Sequence, residues 1–119
     1  MVDFGQDYVG DFLTYAFPRK YDVIVAHHVV EHIADTAAFF NKSSEVLNPG
    51  GMIDIRVPTL PYFAFVDPTH VKFIPDETFF RYFTKSSPAG YCYSDEEFEM
   101  TQVDRDRYDW ELHVVMRKP

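Results

Sequence analysis

Three side chains in the run HVVEHI stand at i, i+3 and i+4: His28, Glu31 and His32. On one helical turn they would share a face. His70, from a later segment, adds a third imidazole. Three imidazoles and a carboxylate make a donor set suited to Zn2+, Mn2+ or Fe2+, because neutral imidazole nitrogen ligates such ions well. The competing reading is local: Glu31 and His32 pack and hydrogen-bond at a strand-helix junction with no ion.

The elements around this cluster decide what it can do. Asp22 introduces Val23-Ile24-Val25-Ala26, a run apolar on both faces. Such a run predicts a central parallel strand covered on two sides. Asp35 is placed to cap a helix whose apolar face is Ala37, Ala38, Phe39, Phe40, Val46 and Leu47. Asn48-Pro49-Gly50-Gly51 reads as its stop. Residues 52–57 read as a second strand, ended by Pro58. Residues 58–74 read as a long aromatic and proline-containing loop. Pro75 suits the first position of a further helix, with Asp76 and Glu77 near its positive end and residues 78–83 continuing it. A turn is expected over residues 86–90. Residues 98–108 and 110–118 read as two strands joined at Asp109, with Trp110, Leu112, Val114 and Met116 on one face of the last. Tyr8-Val9 is a candidate short strand near the start. This order predicts an α/β fold with a parallel pair and a terminal antiparallel hairpin.

Composition narrows the function classes. A chain of 119 residues supports one domain with one core. Its net charge of -8 repels phosphate backbones, which argues against non-specific nucleic-acid binding. Cys92 is the sole cysteine, so no internal disulfide forms, and it reads as a filler between Tyr91 and Tyr93. The start carries Asp3, Asp7 and Asp11 with no basic or long apolar run. No signal peptide or membrane span is expected from it, and a cytoplasmic location is. Twelve Phe and eight Tyr are many for this length, and part of that aromatic surface is expected at an interface.

The run over residues 21–51 resembles the middle of a class I S-adenosylmethionine (SAM)-dependent methyltransferase. Tyr21-Asp22-Val23-Ile24-Val25 resembles the family's fourth strand. His28-Val29-Val30-Glu31-His32-Ile33 resembles the turn after it. Leu47-Asn48-Pro49-Gly50-Gly51 resembles the L-x-P-G-G link into the fifth. Asp67-Pro68-Thr69-His70-Val71 and residues 75–83 resemble the following loop and helix, and the terminal hairpin resembles the sixth and seventh strands. The resemblance implies a partial Rossmann-like sheet with strands corresponding to 4-5-7-6. It implies SAM as cofactor, with Asp11 accepting from the adenine amino group and Phe12 packing on the ring. His27 and His28 would line the methionine end, in accord with binding at the carboxyl ends of parallel strands. Small-RNA 2′-O-methyltransferases and ubiquinone-pathway O-methyltransferases carry an E-x-x-E-H turn that binds a divalent ion. By resemblance His28, Glu31, His32 and His70 would form that metal site, with His28 in place of the first Glu.

The departures carry as much weight. Gly5 and Gly10 do not form G-x-G-x-x-G, and the family's first two strands have no counterpart. The fourth strand would then lack its neighbour and expose an apolar edge, which proteins seldom tolerate. A homodimer pairing through the Val23–Val25 edge is the expected solution. H-x-x-E-H is also the literal pattern of inverted zinc peptidases. That reading fits poorly, since it needs a long helix and here a new helix begins at Asp35. Among the remaining features, His113 reads as a solvent-side strand residue. Asp104-Arg105-Asp106-Arg107 and Asp95-Glu96-Glu97 read as solvated, and Tyr62, Phe63 and Phe65 as core more than substrate pocket. Three functions stay open: methyl transfer to an oxygen or nitrogen of a small molecule or sugar, with the pocket completed by another chain; a non-catalytic dimeric binding module; and a metal-binding protein without methyl transfer.

Overall fold

The computed structural model describes residues 2–3, 9–59, 66–72, 74, 76–84, 98–106 and 110–119. The readings made for Tyr8, Tyr62, Phe63, Phe65, Pro75, residues 86–90, Cys92, residues 95–97 and residues 107–109 lie outside them. Strands β1 (Val2–Asp3) and β2 (Val9–Gly10) pair antiparallel as a separate two-stranded ribbon. Then come β3 (Tyr21–His27), a 3-10 turn (Val30–His32), α1 (Thr36–Val46), β4 (Leu47–Pro58), α2 (Thr78–Arg81), β5 (Glu99–Arg105) and β6 (Glu111–Arg117).

The four long strands form one mixed sheet in the order β3-β4-β6-β5. This is the predicted 4-5-7-6 arrangement. β3 and β4 run parallel, with Val23 opposite Met52, Val25 opposite Asp54 and His27 opposite Arg56. β6 runs antiparallel to β4 and β5. Because side chains alternate along a strand, each face is set by parity. Ile53, Ile55, Val57, Leu112, Val114 and Met116 form the buried face, against which Phe39, Phe40, Phe80 and Phe98 pack.

Three details differ from the sequence expectation. α1 is capped as foreseen, the Asp35 side chain accepting from Ala38 N at 3.0 Å. It stops at Val46, however, and residues 47–51 already belong to β4. Tyr21 pairs with Leu47, and Gly50 N donates to Lys118 O while Lys118 N donates to Gly51 O, each at 2.8 Å. Gly50 makes this run feasible at φ 83, a conformation that other residues avoid. Secondly, β3 is not covered on two sides. Val23 is 51% and Val25 60% exposed, whereas Ala26 on the opposite face is buried. Among the described residues β3 pairs only with β4, and all the helices lie on the other face. Thirdly, Trp110 is exposed although its parity mates Leu112, Val114 and Met116 are buried, because it precedes β6.

Candidate functional site

The end of β3 builds the site. His28 follows the strand at φ 58, a left-handed conformation rare for a residue with a side chain. Its N–H donates to Arg56 O at 2.8 Å, holding the reversal against β4. The next residues wind into the 3-10 turn, closed by His32 N to Val29 O at 2.9 Å. A second segment, residues 66–72, docks on this turn. Val71 N donates to Glu31 O at 2.9 Å, and Lys72 donates to Ala34 O at 3.4 Å and to Thr36 Oγ1.

This docking brings residues far apart in sequence together. Of the four residues expected to hold a metal, Glu31, His32 and His70 place one ligand atom each within 4.8 Å of one another, and His28 falls outside that group. Glu31 is 2% exposed, and neither carboxylate oxygen accepts a hydrogen bond among the described residues. Within ion-pair reach of its Oε2 stand His28 Nδ1 at 3.6 Å and His70 Nε2 at 3.9 Å. A buried carboxylate without donors is costly, and a bound cation is the usual remedy. The residues therefore fit a divalent ion. His32 is oriented for it: Asp67 Oδ1 accepts from the Thr69 hydroxyl at 2.7 Å, so the Thr69 oxygens face His32 Nδ1 as acceptors, at 3.0 and 3.1 Å. Nδ1 then carries the proton and Nε2 keeps its lone pair. The side-chain and backbone hydrogen bonds from Thr69 also hold the Asp67 carboxyl below its ordinary range.

His28 takes the opposite tautomer. Its Nε2 lies 2.7 Å from Glu111 Oε2, and Arg56 Nη1 donates to Glu111 Oε1 at 2.9 Å. Burial acts to raise the Glu111 carboxyl, but the hydrogen bonds from Arg56 and His28 outweigh it and the group titrates below its ordinary value. An ionised carboxylate only accepts, so Nε2 of His28 carries the proton. Sequence reasoning missed Glu111, because nothing local ties it to a residue 83 positions away.

A cleft of about 580 Å3 opens at this end of β3, lined by Asp11, Phe12, Leu13, His28, Val29, His32, Ile33 and Thr69. Three of the four residues proposed to touch the cofactor thus border one space. Asp11 is exposed in the turn after β2, with Oδ1 accepting from Leu13 N at 2.9 Å. Phe12 is buried, its ring 5.6 Å from Phe17 and 5.5 Å from Phe39. His27 is not part of the lining. It shares parity with Val23 and Val25, and its Nε2 donates to Asp54 Oδ1 at 3.2 Å on the open face of the sheet.

His113, on that same open face, is largely buried and donates from Nε2 to Asp54 Oδ1 at 2.7 Å. Burial acts to raise the Asp54 carboxyl, yet the His27 and His113 bonds bring it below its ordinary 3.8. A carboxyl depressed by folding contributes stability above its unfolded pKa and loses it as pH falls through the folded one. Acid unfolding below about pH 4 should therefore be shallower in Asp54→Asn than in the unaltered protein. Denaturant midpoints measured between pH 2 and 6 check this; parallel curves would show that the pairs contribute nothing.

Comparison with known proteins bears on the fold. A family model of methyltransferase domains matches residues 3–53. The chain is 43% identical over 35 residues to a ubiquinone biosynthesis O-methyltransferase from Nitrobacter winogradskyi, an overlap of 29% of this chain and 13% of that protein. The crystal structure of the N-methyltransferase NodS from Bradyrhizobium japonicum WM9 superposes with a TM-score of 0.59 at 16% identity, covering 92% of this chain and 57% of NodS. The NodS complex with S-adenosyl-l-homocysteine (SAH) gives 0.61 at 16% identity, covering 92% and 52%. The chain therefore spans about half the length of these solved structures and far less of the O-methyltransferase. Among the described residues no helix is long and apolar enough to cross a membrane. Strand order, the matched segment over residues 3–53 and the NodS superposition together give the chain part of a Rossmann-like methyltransferase fold.

Proposed function

We propose that this domain takes part in methyl transfer from SAM to an oxygen or nitrogen of a small molecule or sugar, assisted by a divalent ion at Glu31, His32 and His70. The observation that carries the reading is the cleft at the carboxyl end of β3, which joins Asp11 and Phe12 to His28 and His32. Asp11 supplies an acceptor for an exocyclic amine, and Phe12, anchored by Phe17 and Phe39, supplies an apolar wall. The ion, when bound, would orient an acceptor hydroxyl and favour its deprotonation. Glu31 contributes the negative charge that holds such an ion in a buried position, and Thr69 keeps Nε2 of His32 available to it. Calorimetric titration with SAH tests the cofactor half of the reading. Binding near micromolar is expected, weakened about tenfold in Asp11→Ala by loss of one hydrogen bond. No heat at millimolar SAH would leave a non-catalytic binding module as the better account.

The reading includes a second copy of the chain. β3 is an edge strand of the described sheet and carries exposed Val23 and Val25, a combination that invites pairing. Two copies joined at β3 about a two-fold axis would give one continuous sheet. Light scattering after size exclusion should report a dimer at micromolar concentration and a monomer for Val25→Lys. A monomeric parent would sink the pairing and leave the edge to another chain.

A further inference from the structure

His28 stands beside the Glu31, His32 and His70 cluster, not within it, and differs from those imidazoles in what holds it. Its main chain is fixed in the left-handed region, and its Nε2 is tied to a carboxylate from a distant strand. That carboxylate is in turn pinned by Arg56 at its other oxygen. The chain Arg56–Glu111–His28 therefore ends on a nitrogen lone pair, Nδ1, set 3.6 Å from Glu31 Oε2. His70 Nε2 stands 3.9 Å from the same oxygen. Donor atoms around a tetrahedral zinc ion lie roughly 3.3 Å apart, so each nitrogen stands slightly beyond ligand spacing from Glu31 Oε2, and His28 would have to close on the cluster to join it.

We propose that Glu111 is a positioning residue that presents His28 Nδ1 to the cation site and thereby selects a borderline ion, Zn2+ or Co2+, over Mg2+. This rests on the cation reading of the proposed function and deepens it. Magnesium prefers oxygen donors in octahedral geometry and gives up water reluctantly. Three imidazoles and one carboxylate offer it too few oxygens, whereas imidazole suits zinc and cobalt. A carboxylate outside the ligand shell fixes the ring and its tautomer, and losing such a group commonly weakens binding about 10- to 100-fold. Glu111 meets that description in distance and charge, and Arg56 holds its other oxygen.

The test uses Co2+, Zn2+ and Mg2+ alone as probes, followed by calorimetry and, for cobalt, by visible absorption. The unaltered protein should bind Co2+ at least about 100-fold more tightly than Mg2+. Glu111→Leu should lose about 10- to 100-fold in Co2+ affinity while Mg2+ stays equally weak. His28→Glu should narrow the gap by strengthening Mg2+. A measurement without any substitution stands beside these: nitrogen-15 spectra of the metal-free protein near pH 8 should show His28 as the Nε2–H tautomer. The Nδ1–H tautomer, or unchanged Co2+ affinity in a folded Glu111→Leu protein, overturns the role of Glu111 alone. Failure of the unaltered protein to bind Co2+ overturns the cation reading itself.

Discussion

Phe40→Ala should lower the unfolding free energy by about 3–5 kcal/mol, the range for removing a fully buried aromatic ring. Phe40 is 0% exposed and touches the elements that close the core. Its ring stacks on Phe83 at a centroid distance of 4.4 Å and an angle of 24°. Phe98 lies at 5.5 Å, Phe39 at 5.2 Å and Phe80 at 6.3 Å. One side chain of α1 thus holds α2, its flank and the entry to β5 together. Four ring neighbours cannot all collapse into the gap, so the cavity cost adds to the transfer cost. Against a typical total of about 5–15 kcal/mol the loss is severe, and the melting temperature should fall by an amount on the order of 10–20 °C. Phe79→Ala is the control: Phe79 is only partly buried and should cost less than half as much. Urea titration with an unchanged slope and a lowered midpoint checks both. A loss under 1 kcal/mol for Phe40→Ala would mean that this cluster does not organise the core.

How far the sequence disclosed this arrangement depended on range. Signals carried by neighbouring residues were readable. The alternation in 111–117 assigned Leu112, Val114 and Met116 to the core, and Asp35 marked the start of α1. The family likeness supplied the strand order, which periodicity alone could not. The helix end was misjudged because Leu47 continues an apolar helical pattern, while pairing with Tyr21 and Lys118 draws the chain into β4 at once. Tertiary pairing overrode a local preference there. The face that His27 takes was also readable, since parity puts it with Val23 and Val25 and away from Ala26. The run Val23-Ile24-Val25-Ala26 suggested cover on both faces, yet composition does not say whether that cover comes from the same chain. Glu111 was beyond reach altogether: its meeting with His28 depends on the register of β4 against β6, where Pro58 faces Glu111.

The second large effect concerns Glu31, where one substitution should act in opposite directions on two observables. Glu31→Gln should raise the stability of the metal-free protein by about 1–3 kcal/mol, the cost of leaving a buried polar group unsatisfied. In that state neither carboxylate oxygen has a hydrogen bond among the described residues, and the nearest imidazole nitrogens stand off at 3.6 and 3.9 Å. A glutamine of nearly the same shape removes the charge, and its amide can donate toward His28 Nδ1, now 3.6 Å from Oε2. With Zn2+ or Co2+ at about 100 times its Kd, the unaltered protein should gain about 2.7 kcal/mol and the variant almost none. The order of stabilities therefore reverses or closes between the two conditions. Melting curves of both proteins with chelator and with metal measure it directly. A variant less stable under chelator, with an undiminished response to metal, would show that Glu31 is held by interactions other than a cation. Any metal response would then have to come without Glu31, from His32 and His70, whose rings meet edge to face at 4.6 Å.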